Sequence, residues 1–251
     1  MNTQVKAVGT LTEAQVHAVL TAATAAQDSR AVHIRCTATI IELSADPARR
    51  AVVLACGAAL LNLRLAIRAL GVLPMVQLVP DPDRPDLLAV VRPLGKLVVT
   101  PAERRLTNAI PRRRTARAPF TGRAVSLPVL NGLRQAAKAE QAWLATLGAQ
   151  QLPPLRTLLT EADPAHTGNG FVADSLIAVI GSFHDETMAR LQAGQAMQRV
   201  LLAATAGGLS AAFLPSVVEK PDTRRQLRGL IGGALWPQTL LWLGYEAGHG
   251  C

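Results

Sequence analysis

Apolar and polar positions alternate along the chain with two periods, and the changes of period mark the elements. Leu11, Val16, Val19 and Leu20 fall near one helical face, which predicts a helix over 11–26 with Thr10 or Thr12 as its cap. The stretch 33–43, HIRCTATIIEL, is rich in β-branched residues and predicts a strand. Residues 44–49 turn into an apolar helix over 50–70 that stops at Gly71. Strands are predicted at 75–79 and 87–91, on either side of the turn-rich PDPDRPD, and a short helix at 100–110. The second part of the chain predicts helices over 127–147 and 153–161, a loop at 166–170 and a strand over 176–183. An apolar helix over 187–206 then ends at Gly207-Gly208. A strand over 210–218, a helix over 221–230 with Pro in its first turn and a strand over 238–243 complete the pattern. Strands and helices alternate over most of the length, so a layered α/β or α+β domain follows.

The pattern repeats. Gly57 and Gly71 bound one helix, Gly194 and Gly208 another, and both pairs are 14 apart at an offset of 137. At that offset Ala59, Ala66 and Ala69 fall on Ala196, Ala203 and Ala206, and the strand ending at Leu43 falls on the strand ending at Ile180. Two unrelated Ala-rich helices would share small residues, but not one ungapped offset through strand and helix together. The expectation is a duplicated half-domain, with halves at 1–110 and 111–251 forming a pseudo-dimer in one chain.

Composition narrows the class. Apolar residues make up 49% of 251 residues, enough for a sizeable core. The formal charge of +9 favours an anionic partner, but aromatics at 3% argue against a base-stacking platform, and no nucleic-acid-binding motif is present. Cys36, Cys56 and Cys251 match no zinc spacing and suggest a reducing cytoplasm. The first 30 residues lack the apolar core of a secretory signal. The uncharged run 200–218 contains Pro215 and reads as a buried helix entering a strand, not a membrane span.

Candidate chemistry centres on Arg112-Arg113-Arg114-Thr115-Ala116-Arg117, four arginines and a threonine in six positions. Guanidinium forks and a hydroxyl suit a phosphate, whether of a nucleic acid or of a cofactor; the alternative is a solvated basic loop. His184-Asp185-Glu186 reads as a solvated turn, because neighbouring residues on a loop rarely point at one metal ion. No Gly-x-Ser-x-Gly elbow, Walker loop, dinucleotide fingerprint or His-Glu-x-x-His is present, so catalytic side chains are not assigned. A cofactor would carry any chemistry.

The stretch RRTARAPF, residues 113–120, resembles the Arg-Arg-Ser-x-Arg-x-Phe signature of FMN-dependent nitroreductases. The chain is more similar still to the Acg-type branch from actinobacteria, in which two nitroreductase-like halves are fused. The similarity takes in GAALLNLRLAIRALG, LVPDPDRPDLLAVVR, AIPRRRTARAPF, LQAGQAMQRVLLAATAGGLSAAFLPSVVEKP and WPQTLLWLGYEAG. It implies an α+β nitroreductase-like fold with a mixed central sheet flanked by helices. It also implies that Arg113, Thr115 and Arg117 hold the FMN phosphate with Arg114 beside them. Gly207, Gly208, Leu209 and Ser210 would pass near the flavin ring, and Gly244 with Leu243 and Tyr245 would close the site. NAD(P)H would be the electron donor, a nitro or quinone compound the acceptor, and a homodimer the assembly.

The chain departs from the family at two places. Residues 25–33, AAQDSRAVH, stand where the family carries Ala-Pro-Ser-x-x-Asn-x-Gln-Pro-Trp, and the helical insertion with its tryptophan is missing between Ala162 and Asp174. These departures keep a second reading open: a nitroreductase-fold protein without turnover that sequesters flavin or serves as a binding partner.

Overall fold

The computed structural model describes residues 7–26, 29–116, 119–163 and 176–246. The predicted loop at 166–170 and Arg117 lie outside them. Two long helices, α2 (Arg50–Ala69) and α6 (Thr187–Ala206), cross at the centre. Their contact explains the repeated glycines. A Cβ on Gly57 would drive into the Leu191 carbonyl oxygen, and a Cβ on Gly194 into that of Leu54. Leu54 and Leu191 are themselves 137 residues apart, so the crossing is reciprocal, as in an isologous interface. A buried carboxylate on the segment that follows α4 (Leu127–Lys138) adds a polar tie. Glu140 accepts hydrogen bonds from Arg64 of α2 at 2.6 Å and Arg199 of α6 at 2.8 Å.

Each long helix packs on a four-stranded sheet. The first comprises β1 (His33–Cys36), β2 (Ile41–Ser44), β3 (Val72–Leu78) and β4 (Leu87–Lys96), in the order β1-β2-β4-β3. The second comprises β5 (Trp143–Leu147), β6 (Leu176–Ser182), β7 (Ser210–Phe213) and β8 (Trp236–Gly244), in the order β5-β6-β8-β7. In place of one mixed sheet, the strands form two sheets paired antiparallel throughout. Among the described residues a single parallel bridge, Thr115 to Ala211, adds the arginine segment to the edge of β7.

The remaining helices cap and cover. In α1 (Glu13–Thr24), Thr12 and Gln15 form a capping box; in α3 (Pro101–Ala109), Thr100 and Glu103 do the same. Helix α5 (Leu152–Ala162), the short α7 (Ser216–Glu219) and α8 (Pro221–Leu230) lie on the outer face of the second sheet. There Leu155, Leu158 and Leu159 pack against Ile177, Val179 and Leu240. Alternate residues of the same strands, Ala178, Ile180, Leu241 and Leu243, face the central helices, so this sheet is buried on both sides. Helix α2 is long and apolar enough to cross a membrane, but 83% of its apolar window is buried, as a core helix requires.

Three predicted elements divide differently. The strand predicted over 33–43 is a hairpin, because the Thr37 hydroxyl accepts from the N–H groups of Thr39 and Ile40 and closes a turn inside a β-branched run. The helix predicted over 127–147 stops at Lys138: Gln141 takes a left-handed conformation, φ 59°, and Ala142 N–H bonds back to the Ala137 carbonyl, freeing β5. The strand predicted over 210–218 ends before Pro215, which has no N–H to give the ladder, and α7 follows.

Candidate functional site

The arginine segment leaves α3 through a 3-10 turn, Ile110–Arg112, and becomes extended at Arg113. It crosses the ends of β7 and β8 at two fixed points. At one, Thr115 pairs with Ala211 and the Ala116 N–H donates to the Ala211 carbonyl at 2.8 Å. At the other, Phe120 pairs with Glu246 and the Thr121 N–H donates to the Tyr245 carbonyl at 2.7 Å. Phe120 anchors the crossing by meeting Trp242 edge to face, with ring centroids 4.8 Å apart. Gly244 makes room for it: a Cβ there would stand 2.8 Å from the Phe120 ring. The Phe of the signature and the Gly of the last strand are therefore a packing pair.

The Gly207-Gly208 pair is explained by helix termination. Gly208 is left-handed, φ 78°; its N–H bonds the Thr205 carbonyl, and the Leu209 N–H bonds that of Ala204. This double closure ends α6 and turns the chain into β7. The turn and the arginine segment enclose a cavity of about 520 Å³. Arg112, Arg114 and Arg123 line one side, Thr205, Gly208, Leu209 and Ser210 the other, and Thr121, Tyr245 and Glu246 complete it. Arg123 stacks over the Tyr245 ring at 4.3 Å, which holds its guanidinium at the wall. Ser210 Oγ donates to Glu246 Oε2 at 2.9 Å. Arg114 is exposed. Three guanidinium groups thus share the cavity with one carboxylate.

Of the residues singled out in the sequence, Arg114, Gly208, Leu209 and Ser210 meet at this cavity. Arg113 and Thr115 belong to the segment but do not line it; Thr115 serves the strand bridge. Gly207 and Gly244 are not on the wall either. Arg112, Arg123, Thr121, Thr205 and Glu246 were not assigned from the sequence. Arg112 stood within the run itself, and the signal for Arg123 was its place three residues after the anchoring Phe120.

A second charged constellation corrects the reading of His184-Asp185-Glu186 as a solvated turn. Asp185 accepts both terminal nitrogens of Arg224, at 2.7 and 2.6 Å, along with Arg190 at 3.2 Å and Gln238 at 3.0 Å. Burial raises its pKa, but these hydrogen bonds outweigh burial and hold the carboxyl well below the usual range. A carboxylate so clamped is not a general base. Among the described residues no group of three His, Cys, Asp or Glu side chains is arranged to hold a metal. Cys56 is buried, and desolvation pushes its thiol up to about 12, so it offers no thiolate.

Comparison with known proteins agrees with this architecture. No family model matches the chain. The curated "Putative NAD(P)H nitroreductase Rv3131" of Mycobacterium tuberculosis is 29% identical, across 80% of this chain and 73% of its own length. The "Putative NAD(P)H nitroreductase acg" of the same organism is 26% identical, across 79% of this chain and 76% of its own. Among solved structures, a nitroreductase described as putative from Anabaena variabilis superposes with a TM-score of 0.57 at 13% identity. It covers 83% of this chain and 69% of its own. The chain thus has the nitroreductase-like α+β fold, and along most of its length it is similar in sequence to the Acg-type nitroreductases.

Proposed function

We propose that the protein is an FMN-binding oxidoreductase of the nitroreductase type, built as a pseudo-dimer of halves 1–110 and 111–251. The observation that carries this reading is the cavity between the arginine segment and the end of α6. Its volume, about 520 Å³, is that of a small-molecule site. Its three guanidinium groups suit phosphate oxygens. Arg112, Arg114 and Arg123 would hold the phosphate, with Arg117 of the signature joining them. Gly208, Leu209 and Ser210 would stand beside the ring. FMN, when bound, supplies the capacity to accept hydride from NAD(P)H and pass electrons to a nitro or quinone compound. The chain's own part is to bind and orient. The Arg123–Tyr245 stack and the Phe120–Gly244 contact fix the cradle before a ligand arrives, which lowers the ordering cost of binding.

Titration of the protein with FMN, followed by flavin fluorescence, tests the assignment. Arg114→Ala is expected to weaken binding by at least about tenfold, the effect of one lost charge-assisted phosphate contact. Unchanged affinity would place the phosphate elsewhere. The absent Asn-x-Gln-Pro-Trp stretch favours a second reading, flavin holding without turnover. NAD(P)H oxidation by the FMN-loaded protein in the presence of a quinone separates the two. Steady oxidation supports the reductase, and binding without oxidation supports the holder.

A further inference from the structure

Helix α2 packs on the inner face of the first sheet, and exposed side chains mark its outer face. The strand register sets one outward row across that face: Gln77 of β3, Val90 of β4, Glu42 of β2 and Arg35 of β1. In the next row Met75 stands beside Arg92, and in the one after it Leu73 beside Leu94. Eight large apolar side chains are exposed among the described residues, and three of them, Leu73, Met75 and Leu94, are neighbours here. Single exposed apolar residues need no explanation, but a group on one sheet face points to a contact surface.

The charges around this group are sorted by sign. At one end the turn 79–86 carries Asp81, Asp83 and Asp86, of which Asp83 and Asp86 are exposed. Arg84 of the same turn reaches onto the face and donates to Glu42 Oε1 at 3.3 Å, while Arg35 donates to Glu42 Oε2 at 2.6 Å. These two arginines cover the Glu42 carboxylate and hold the acidic turn to the outer face. Toward the other end stand Arg92 and Lys96, both exposed. Asp86 immediately precedes β4 and Lys96 ends it, so the strand runs from a negative to a positive end over about 30 Å.

A face of this kind is complementary to itself. A two-fold axis lying across the strands near Val91 lays the Asp86 end of one copy on the Lys96 end of the other, and does so twice. The same rotation sets Arg92 over the row that holds Glu42. A uniformly acidic partner would meet the carboxylates of the turn, and a uniformly basic one would meet Arg92 and Lys96. Other surfaces are closed to such a contact. The isologous crossing of α2 and α6 is already made inside one chain, and α5, α7 and α8 lie on the outer face of the second sheet.

We propose that the outer face of the first sheet joins two copies of the chain face to face. Leu73, Met75 and Leu94 form the apolar part of this contact, and Asp86–Lys96 pairs close its two ends. From strand spacing and rise the face measures roughly 20 Å on a side, so two copies bury on the order of 1,000 Å² in total, the size of a weak but specific interface. Dissociation then falls in the micromolar range, and dilute protein is monomeric. The contact does not depend on the flavin assignment, and its test contains no flavin.

Sedimentation velocity of the full chain at low salt, from about 1 to about 200 µM, tests the contact. The wild type should pass from monomer to dimer across this range. Leu94→Asp should weaken the dimer by at least about tenfold, because it places a charge in the apolar part. Lys96→Glu should weaken it about threefold to tenfold, because it opposes Asp86 at both ends. Combining Lys96→Glu with Asp86→Lys should bring the affinity back to within about threefold of the wild type. All three positions are exposed, and circular dichroism checks that each variant is folded. A wild type that stays monomeric throughout overturns the proposal and leaves the face to a different partner. A dimer that Leu94→Asp leaves unaltered, or a double variant no tighter than Lys96→Glu alone, overturns it as well.

Discussion

The two sheets share a strand order and differ in what lies on their outer faces. In the first, β1 and β2 are joined by the tight turn at Thr37–Ile40, and residues 79–86 link β3 to β4. In the second, the matching connections carry α5 and the pair α7 and α8. The consequence is visible in exposure. On the first sheet Leu73, Met75 and Leu94 are exposed, with Leu73 beside Leu94 across the strands. On the second sheet the outward positions Ile177, Val179 and Leu240 are buried under helices. The cavities of about 520 and 570 Å³ are also built largely on the second sheet, and only residues 48–55, at the start of α2, reach the larger of these two from the first part of the chain. The comparison teaches that the shared part, helix on sheet, supplies the frame. The unshared part, the arginine segment on the β7 edge and the helices after β7, supplies the sites.

The reciprocal crossing of α2 and α6 gives the harshest test. Gly57→Ala and Gly194→Ala should each cost more than about 4 kcal/mol, since backbone carbonyls cannot yield to the new methyl group as a side chain can. The two losses should match, and denaturant melts of both variants measure this. A large loss at one position with tolerance at the other would break the symmetry of the crossing.

Next comes the Asp185 network, which has no counterpart in the first sheet, where Ala48 stands at the same offset. Asp185→Asn should cost about 3 kcal/mol at neutral pH, the scale of a broken, largely buried ion pair. The folded carboxyl is held below its ordinary value, so its contribution is full above about pH 4 and is lost as pH falls further toward the folded value. Urea melts at pH 7 and pH 3 should therefore show a smaller gap between variant and wild type in acid. An equal gap at both would assign the loss to packing.

The outer faces give the smallest contrast. Leu158→Ala, under the second sheet's cover, should cost about 2–4 kcal/mol by leaving a cavity, whereas exposed Met75→Ala should stay within about 0.5 kcal/mol. A large effect at Met75 would mean that the first sheet's open face is covered in solution.

Much of this frame was legible in the sequence. The central helices appeared with bounds near those observed because their apolar runs end at Gly71 and Gly207-Gly208, where termination needs a residue free to turn. The repeat showed through Gly57 and Gly194, whose spacing records one reciprocal contact. What stayed hidden was non-local or lacked the usual punctuation. The helix before β5 ends on a left-handed Gln141 where glycine is the usual residue. The hairpin at 37–40 turns on a threonine hydroxyl within β-branched residues. At the candidate site, the arginine run pointed to a cluster of guanidinium groups, but which arginines face the cavity depends on the two pairings that pin the segment, Thr115 to Ala211 and Phe120 to Glu246. Arg114 stands at the cavity and Arg113 lies off its wall.

The difference between the sheets makes one number decisive: the count of flavins per chain. The arginine segment pairs with the edge of β7, and among the described residues no such segment pairs with the edge of β3. Equilibrium titration of the purified protein with FMN should saturate at one per chain and lose affinity in Arg114→Ala. Saturation at two per chain, or no binding at all, would contradict the account.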